Sequence, residues 1–343
     1  MNIKTKQHYF VGLDVHLRFT AVCILDANCK IVKEQIVKGH SPEVCKFLRE
    51  KINGSFDVVF EACDGYGFWH EKLSRIARRV VVAHPNHLRA IWNTKKKTDR
   101  IDAQKLAKLL GLNLIPPVYV PKIDVRDWRM LIQHRKTLVQ KRTRIKNKLR
   151  AILRRNHIPA PRNLWSKKNL HWLRDVELDA RGETLQRDML LEDLAHYDNQ
   201  IARVEVELDQ RAKNNPGVIV LKTIPGVANR TAEAVVAWID DVSRFSRSKQ
   251  IGAYFGFAVS EDSSGGKRRL GHISRQGPGV VRQLLVEAVH RMNRFNPTVR
   301  SWVERFKCGQ EKRKQIAVVA AAHKLSRCMF AMLQTGEVWN PAA

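Results

Sequence analysis

The sequence predicts an α/β domain joined to a strongly basic, mostly helical remainder, and three observations predict it. Short β-branched or apolar runs crowd the first third and alternate there with helical stretches. The middle third combines long helical periodicity with almost purely positive charge. The last third is helical in pattern and broken by turns containing Gly and Pro.

In the first third, Tyr9 to Leu13, Thr20 to Leu25 and Ile31 to Val37 read as a three-strand meander. Ser41 is placed to cap a helix running to about Lys51. Val58 to Phe60 is a short buried strand, Trp69 to Arg78 a helix, Val80 to Ala83 a strand, and Thr98 opens a helix to about Leu110. The order βββαβαβα, with the meander first, is that of a ribonuclease-H-like domain. A dinucleotide fold would begin with βαβ and a Gly-rich turn, which is missing. Pro116, Pro117 and Pro121 close this domain, giving boundaries of 1–122, 123–215 and 216–343 for the three parts.

The 343 residues include 62 Lys or Arg and 33 Asp or Glu, a formal net charge of +29 that calls for a polyanionic partner. A hydrophobic content of 44% supports proper cores and excludes a free-standing basic tail. No run approaches the roughly 18 to 20 apolar residues of a membrane helix, and the N-terminus lacks a signal-peptide pattern. The six cysteines show no Cys-x-x-Cys pair, so neither a zinc knuckle nor a disulfide frame is indicated. The expectation is a cytoplasmic protein with reduced thiols and no membrane partner.

Between Asp127 and Asp175 there is no acidic residue, while Lys141, Arg142, Arg144, Lys146, Lys148, Arg150, Arg154 and Arg155 fall within one predicted helix, about Asp127 to Asn156. A duplex or a folded RNA would neutralise that stripe, with steep salt dependence. Beyond Pro159 and Pro161, a helix from about Glu183 to Lys213 spaces Leu190, Leu194, Tyr197, Ile201, Val204 and Leu208 alternately by four and three, a heptad seam. That seam fits either a helical hairpin within the chain or a coiled coil between chains.

Further on, Ile224-Pro225-Gly226-Val227 between two helical runs has the shape of a helix-hairpin-helix. The Gly226 turn fits phosphate contact through backbone N–H groups, or a plain packing corner. An apolar-rich helix is read over Phe245 to Gly256.

Chemistry concentrates in two places. Asp14 follows the apolar run Phe10-Val11-Gly12-Leu13, and Glu61 ends Asp57-Val58-Val59-Phe60 in the same way. Asp99 and Asp102, spaced i,i+3, share one helix face. Four carboxylates from three elements suit hard Mg²⁺, and paired ions about 3.5 to 4 Å apart stabilise the attacking and leaving oxygens of phosphodiester cleavage. Taken singly, Asp99 also reads as a helix-start residue, and Asp14 or Glu61 as a strand-end ion pair. The second place is Ser263-Ser264-Gly265-Gly266-Lys267-Arg268-Arg269, a flexible point beside three cations. It fits a hydroxyl attacking phosphate, or a loop that binds phosphate passively.

At these residues the chain resembles the DEDD-type insertion-sequence transposases, whose RuvC-like N-terminal domain is joined to a C-terminal transposase domain. This group includes bridge-RNA-guided recombinases and pilin-gene inversion recombinases. The N-terminal resemblance rests on Gly12-Leu13-Asp14-Val15, Phe60-Glu61-Ala62-Cys63 and Lys97-Thr98-Asp99-Arg100-Ile101-Asp102-Ala103. Further on it rests on Ile224-Pro225-Gly226-Val227, Tyr254-Phe255-Gly256-Phe257, Ser264-Gly265 and Ile273-Ser274-Arg275-Gln276-Gly277. Two departures stand out: the segment after Glu61 is longer than the usual E-A-T-G form, and no proline follows Gly256-Phe257.

The resemblance implies a recombinase whose serine attacks DNA to give a phosphoserine, assisted by Mg²⁺ on Asp14, Glu61, Asp99 and Asp102. It further implies donor and target DNA chosen by a noncoding bridge RNA, a dimer or tetramer, and a bacterial, nucleoid-associated setting. Counting from Gly256 gives Ser264 as that serine; counting back from Ser274 gives Ser263, and Ser264 is preferred because it directly precedes glycine. The rival reading is a metal-dependent nuclease or junction resolvase in which water attacks. His16, His84, His87, His134, His157 and His290 show no zinc spacing and are read as surface or phosphate-facing groups.

Overall fold

The computed structural model describes residues 7–85, Leu88, 98–267 and 269–340; Lys97, His87 and Arg268 lie outside the described residues. The chain forms two compact units, Met1–Ile123 and Asp124–Ala343.

Unit one is built on the strands β1 (His8–Val15), β2 (Phe19–Leu25), β3 (Ile31–Lys38), β4 (Ser55–Glu61) and β5 (Arg79–Ala83), in the sheet order β3-β2-β1-β4-β5. The meander pairs antiparallel, whereas β4 runs parallel to both β1 and β5. Parallel neighbours require crossovers. Helices α1 (Ser41–Lys51) and α2 (Tyr66–Leu73) lie between β3 and β5, and α3 (Asp99–Gly111) follows the sheet. Alternation along β1 divides the core. Val11 and Leu13 join Val44, Phe47, Leu48, Trp69 and Leu73 of α1 and α2, whereas Phe10 packs with Ala103, Ala107, Leu106 and Leu110 of α3 on the opposite face.

Three local expectations are corrected. Ser41 is the buried first residue of α1 and not its cap; His40 holds the cap position, and its N–H donates to the Glu43 carboxylate at 2.9 Å. The second helix spans Tyr66–Leu73, not Trp69 to Arg78, because Gly65 starts it early and Trp69 and Leu73 already complete its buried face. The helix expected over Phe245 to Gly256 shrinks to Ser248–Tyr254, since the Asp241 carboxylate accepts from the Ser243 N–H and shapes a 3₁₀ turn, Val242–Arg244, ahead of it.

In unit two, α4 (Ile123–Arg155) and α6 (Arg181–Lys213), each 33 residues, flank α5 (Lys167–Asp175). Ion pairs Asp127–Arg211, Arg135–Glu205, Arg142–Asp198 and Arg155–Glu183 climb one helix as they descend the other. The pair is therefore antiparallel and within one chain. The heptad seam is spent there: Leu190, Leu191 and Leu194 pack with Ile145, Leu149, Ile152 and Leu153, and Leu208 packs with Trp128 and Ile132.

The rest comprises α7 (Pro216–Lys222), α8 (Asn229–Ile239), α9 (Ser248–Tyr254), the hairpin strands β6 (Val259–Glu261) and β7 (Leu270–Ile273), α10 (Gly279–Met292), α11 (Pro297–Lys307) and α12 (Lys314–Thr335). The segment Glu311–Thr335 is long and apolar enough to cross a membrane. In this fold its Ala317, Ala321, Leu325, Met329 and Phe330 are buried in the core of the unit.

Candidate carboxylate centre and serine hairpin

Strand alternation sends Asp14 to the same face as Phe10 and Gly12, the face that α3 covers. On the neighbouring parallel strand, Leu13 pairs with Phe60, so Glu61 follows Phe60 at the same end of the sheet as Asp14. Helix α3 begins there too: Thr98 caps it, its Oγ accepting from the Ile101 N–H at 3.3 Å, which sets Asp99 and Asp102 in the first turn. Closeness comes from Gly12, whose Cα faces the α3 backbone at Ala103 and Ala107.

Asp14, His16 and Asp99 form the tightest group, their ligand atoms all lying within 4.8 Å of one another. His16 Nε2 stands 3.1 Å from Asp14 Oδ2 and 3.4 Å from Asp99 Oδ1. Burial pushes the Asp14 carboxyl above its ordinary range, partly offset by His16, with Asp99 and Asp102 adding to the rise. Asp102 pairs with Lys105 at 3.1 Å. Glu61 and Asp102 stand outside the 4.8 Å group. The donor set, two carboxylates and an imidazole, with Asp102 further along the same helix and Glu61 at the end of the neighbouring strand β4, fits a divalent cation. His16 is the residue that sequence reasoning missed. Its signal was the Asp14-x-His16 spacing at a strand end, which alternation turns to one side.

The serines lie on the hairpin β6–β7. The Ser263 hydroxyl donates to Glu261 Oε1 at 2.8 Å and accepts from the Arg269 N–H at 3.1 Å. The Ser264 carbonyl accepts from the Lys267 N–H, while no hydrogen bond engages the Ser264 hydroxyl among the described residues. Ser264, Gly265, Gly266, Lys267 and Arg269 are all exposed. Gly265 and Gly266 take positive φ at this tip.

The feet of the hairpin cross closely. A Cβ on Gly256 would overlap the Gln276 carbonyl, and one on Gly277 the Tyr254 carbonyl; both residues have φ of +76°. Arg282 clamps these feet, donating to the carbonyls of Phe255 at 2.7 Å, Gln276 at 2.9 Å and Arg275 at 3.0 Å.

Gly226, with φ of +99°, turns between α7 and α8 against Met292 and Phe295. On α4, Arg142 and Arg155 are held by Asp198 and Glu183. Lys146 and Arg150 lie over the Trp165 ring, and Lys141 over Tyr197. Arg144, Lys148 and Arg154 are exposed. A buried acid also went unread: Glu233 of α8 is 1% exposed, 3.2 Å from Arg230, and burial raises it to about 7.

Two family models match the chain. The family model for DEDD transposases of the IS110 type matches residues 11–158, spanning all four carboxylates, and that of the Transposase IS116/IS110/IS902 family matches residues 219–304, spanning the serine hairpin. The chain belongs to the IS110 family of insertion-sequence transposases.

Its relatives extend the match along the chain. The transposase for insertion sequence element IS1111A of Coxiella burnetii is 26% identical over 97% of this chain and 92% of its own length. That of IS1328 from Yersinia enterocolitica is 26% identical over 82% and 85%. A pilin gene-inverting protein of Moraxella lacunata is 25% identical over 95% of each chain. This IS110-family transposase is thus similar along nearly its full length to proteins named for transposition and for gene inversion.

Proposed function

We propose that this transposase cuts and rejoins DNA through a covalent phosphoserine on Ser264, with a divalent cation of the Mg²⁺ type held by Asp14, Glu61, Asp99 and Asp102. The carrying observation is the convergence of Asp14 and Asp99, from a central strand and a capped helix, in a chain of this family. The cation would polarise the scissile phosphate there. The Ser264 oxygen forms a bond to phosphorus as the bond from phosphorus to the deoxyribose oxygen breaks; the hydroxyl proton passes to solvent and the leaving oxygen takes one up. Ser264 is favoured over Ser263 because the Ser263 hydroxyl is already engaged with Glu261 and the Arg269 amide.

The same reading takes the β3-β2-β1-β4-β5 sheet as ribonuclease-H/RuvC-like, its antiparallel meander and parallel second half supporting it. The working parts are then residues 1–122, the basic arm 123–215, and the serine-bearing 216–343. Donor and target DNA and a noncoding bridge RNA bind Lys141, Arg142, Arg144, Lys146, Lys148, Arg150, Arg154, Arg155, Lys267, Arg268, Arg269 and the Gly226 turn. The carboxylates and the serine belong to separate compact units. The same reading includes a homo-oligomer, a dimer or tetramer, in which one protomer's carboxylates serve another's serine, in the bacterial cytoplasm on the nucleoid.

The test incubates the full chain with its co-purifying RNA, Mg²⁺ and labelled element-end DNA, followed by a denaturing gel. A protein-linked band lost in Ser264→Ala and in Asp102→Asn, and kept in Ser263→Ala, is expected. Cleavage with no linked band, indifferent to both serines, would establish instead a nuclease or resolvase that uses water.

A further inference from the structure

We infer that His16 is itself a metal ligand, giving the carboxylate centre a nitrogen donor and so a preference for Mn²⁺ over Mg²⁺. This rests on the reading of Asp14 and Asp99 as cation ligands and adds to it a residue outside the four carboxylates.

The geometry that carries it is specific to one ring atom. His16 Nε2 lies 3.1 Å from Asp14 Oδ2 and 3.4 Å from Asp99 Oδ1, and one ligand atom from each of the three residues falls within 4.8 Å of the others. Ligands of one cation at about 2.0 to 2.3 Å lie no farther than about 4.6 Å apart. Closure therefore requires a movement of only a few tenths of an ångström.

The ring is also held in place. It packs on Phe19 with centroids 4.7 Å apart, and the His16 N–H donates to the Phe19 carbonyl at 3.0 Å, fixing the turn between β1 and β2. His16 follows Asp14 by two positions and continues the alternation that turns both toward α3. It remains exposed enough to be reached by an ion from solvent.

Chemistry then sets the preference. Carboxylate and water oxygens accept Mg²⁺ and Mn²⁺ alike, whereas an imidazole nitrogen suits transition metals and does little for Mg²⁺. An all-carboxylate centre has no such bias.

The test is electron spin-echo spectroscopy of Mn²⁺ on the full-length chain, with and without duplex DNA, together with calorimetric titration by Mn²⁺ and by Mg²⁺. Wild type is expected to show modulation from a directly bound ¹⁴N and to bind Mn²⁺ about tenfold more tightly than Mg²⁺. His16→Ala, an exposed position, should lose the nitrogen signal and the preference while keeping Mg²⁺ affinity. Bound Mn²⁺ without nitrogen modulation, and with affinity unmoved by His16→Ala, would show His16 to be only a counter-charge and leave the carboxylate centre standing. No binding of either ion, or binding indifferent to Asp14→Asn, would remove the carboxylate reading and this inference with it.

Discussion

A β-carbon on Gly12 would fall within the van der Waals envelope of the Ala103 carbonyl oxygen and 2.6 Å from the Ala107 amide nitrogen. The hydrogen-only side chain of Gly12 is therefore what sets the distance between the central strand and α3, and with it the distance between Asp14 and Asp99. Gly12→Ala must push the helix backbone outward, because neither neighbour is a side chain that can swing away. A loss of about 3 kcal/mol is expected, at the upper end of overpacking costs. Thermal melting would report it, and divalent-cation affinity should fall in parallel; an unchanged melting temperature would refute the contact.

Arg282 ties three carbonyls on the two feet of the serine hairpin. On the proposed serine mechanism, Arg282→Ala should leave DNA affinity within about twofold while lowering the serine-linked adduct about tenfold, the order expected when a reacting group is left loosely held. Hydrogen exchange of the 259–273 amides should quicken, and added guanidinium should restore part of the adduct. Unaltered exchange in that hairpin would end the clamp argument.

Glu233 makes stability depend on pH in an unusual direction. Its carboxyl is raised by burial from 4.5 to about 7 in the folded chain, with Arg230 and Arg135 opposing and Asp209 and Glu205 reinforcing the rise. The unfolded chain therefore releases this proton first, so the group favours folding below about pH 4.5 and that contribution is lost as pH rises through 7. Glu233→Gln should stabilise the protein at pH 8 by up to about 3 kcal/mol and do little at pH 4.5. Denaturant melts at the two pH values decide it.

Lys141, Arg144 and Lys148 share one face of α4 by their spacing of three and four. If each meets a phosphate, replacing all three by Ala should flatten the plot of log affinity against log salt by up to about 2.7. Arg142→Ala should change that slope less, because its guanidinium already sits 3.0 Å from Asp198. Equal slopes in wild type and triple variant would move the nucleic acid off this face.

Much of the first unit was legible in the sequence because strand signals are local. The meander, the buried β4 run and Thr98 ahead of α3 each declare themselves within a few residues, and alternation then assigns Asp14 to the α3 face. His16 was not legible, since its meaning depends on Asp99, 83 positions away in the chain. Glu233 was hidden for a similar reason: in Thr231-Ala232-Glu233-Ala234 it looks like an ordinary helical acid, and only the packing of α4 and α10 against α8 buries it. The heptad seam showed that a partner exists and not which one, because Leu190 and Leu194 are equally apolar toward their own chain or another.

The antiparallel match between α4 and α6 also constrains how this arm can change length. At about 1.5 Å per residue, 33 residues span roughly 50 Å, anchored at Trp128 and Leu208 in the C-terminal core and closed at the far end by Leu164 and Leu173. A deletion in one helix alone would slide Arg142 away from Asp198 and every pair beyond it out of step. A length change that keeps these ion pairs in step would have to remove or add equal whole turns in both helices, so that the arm's length can be edited only in duplicate.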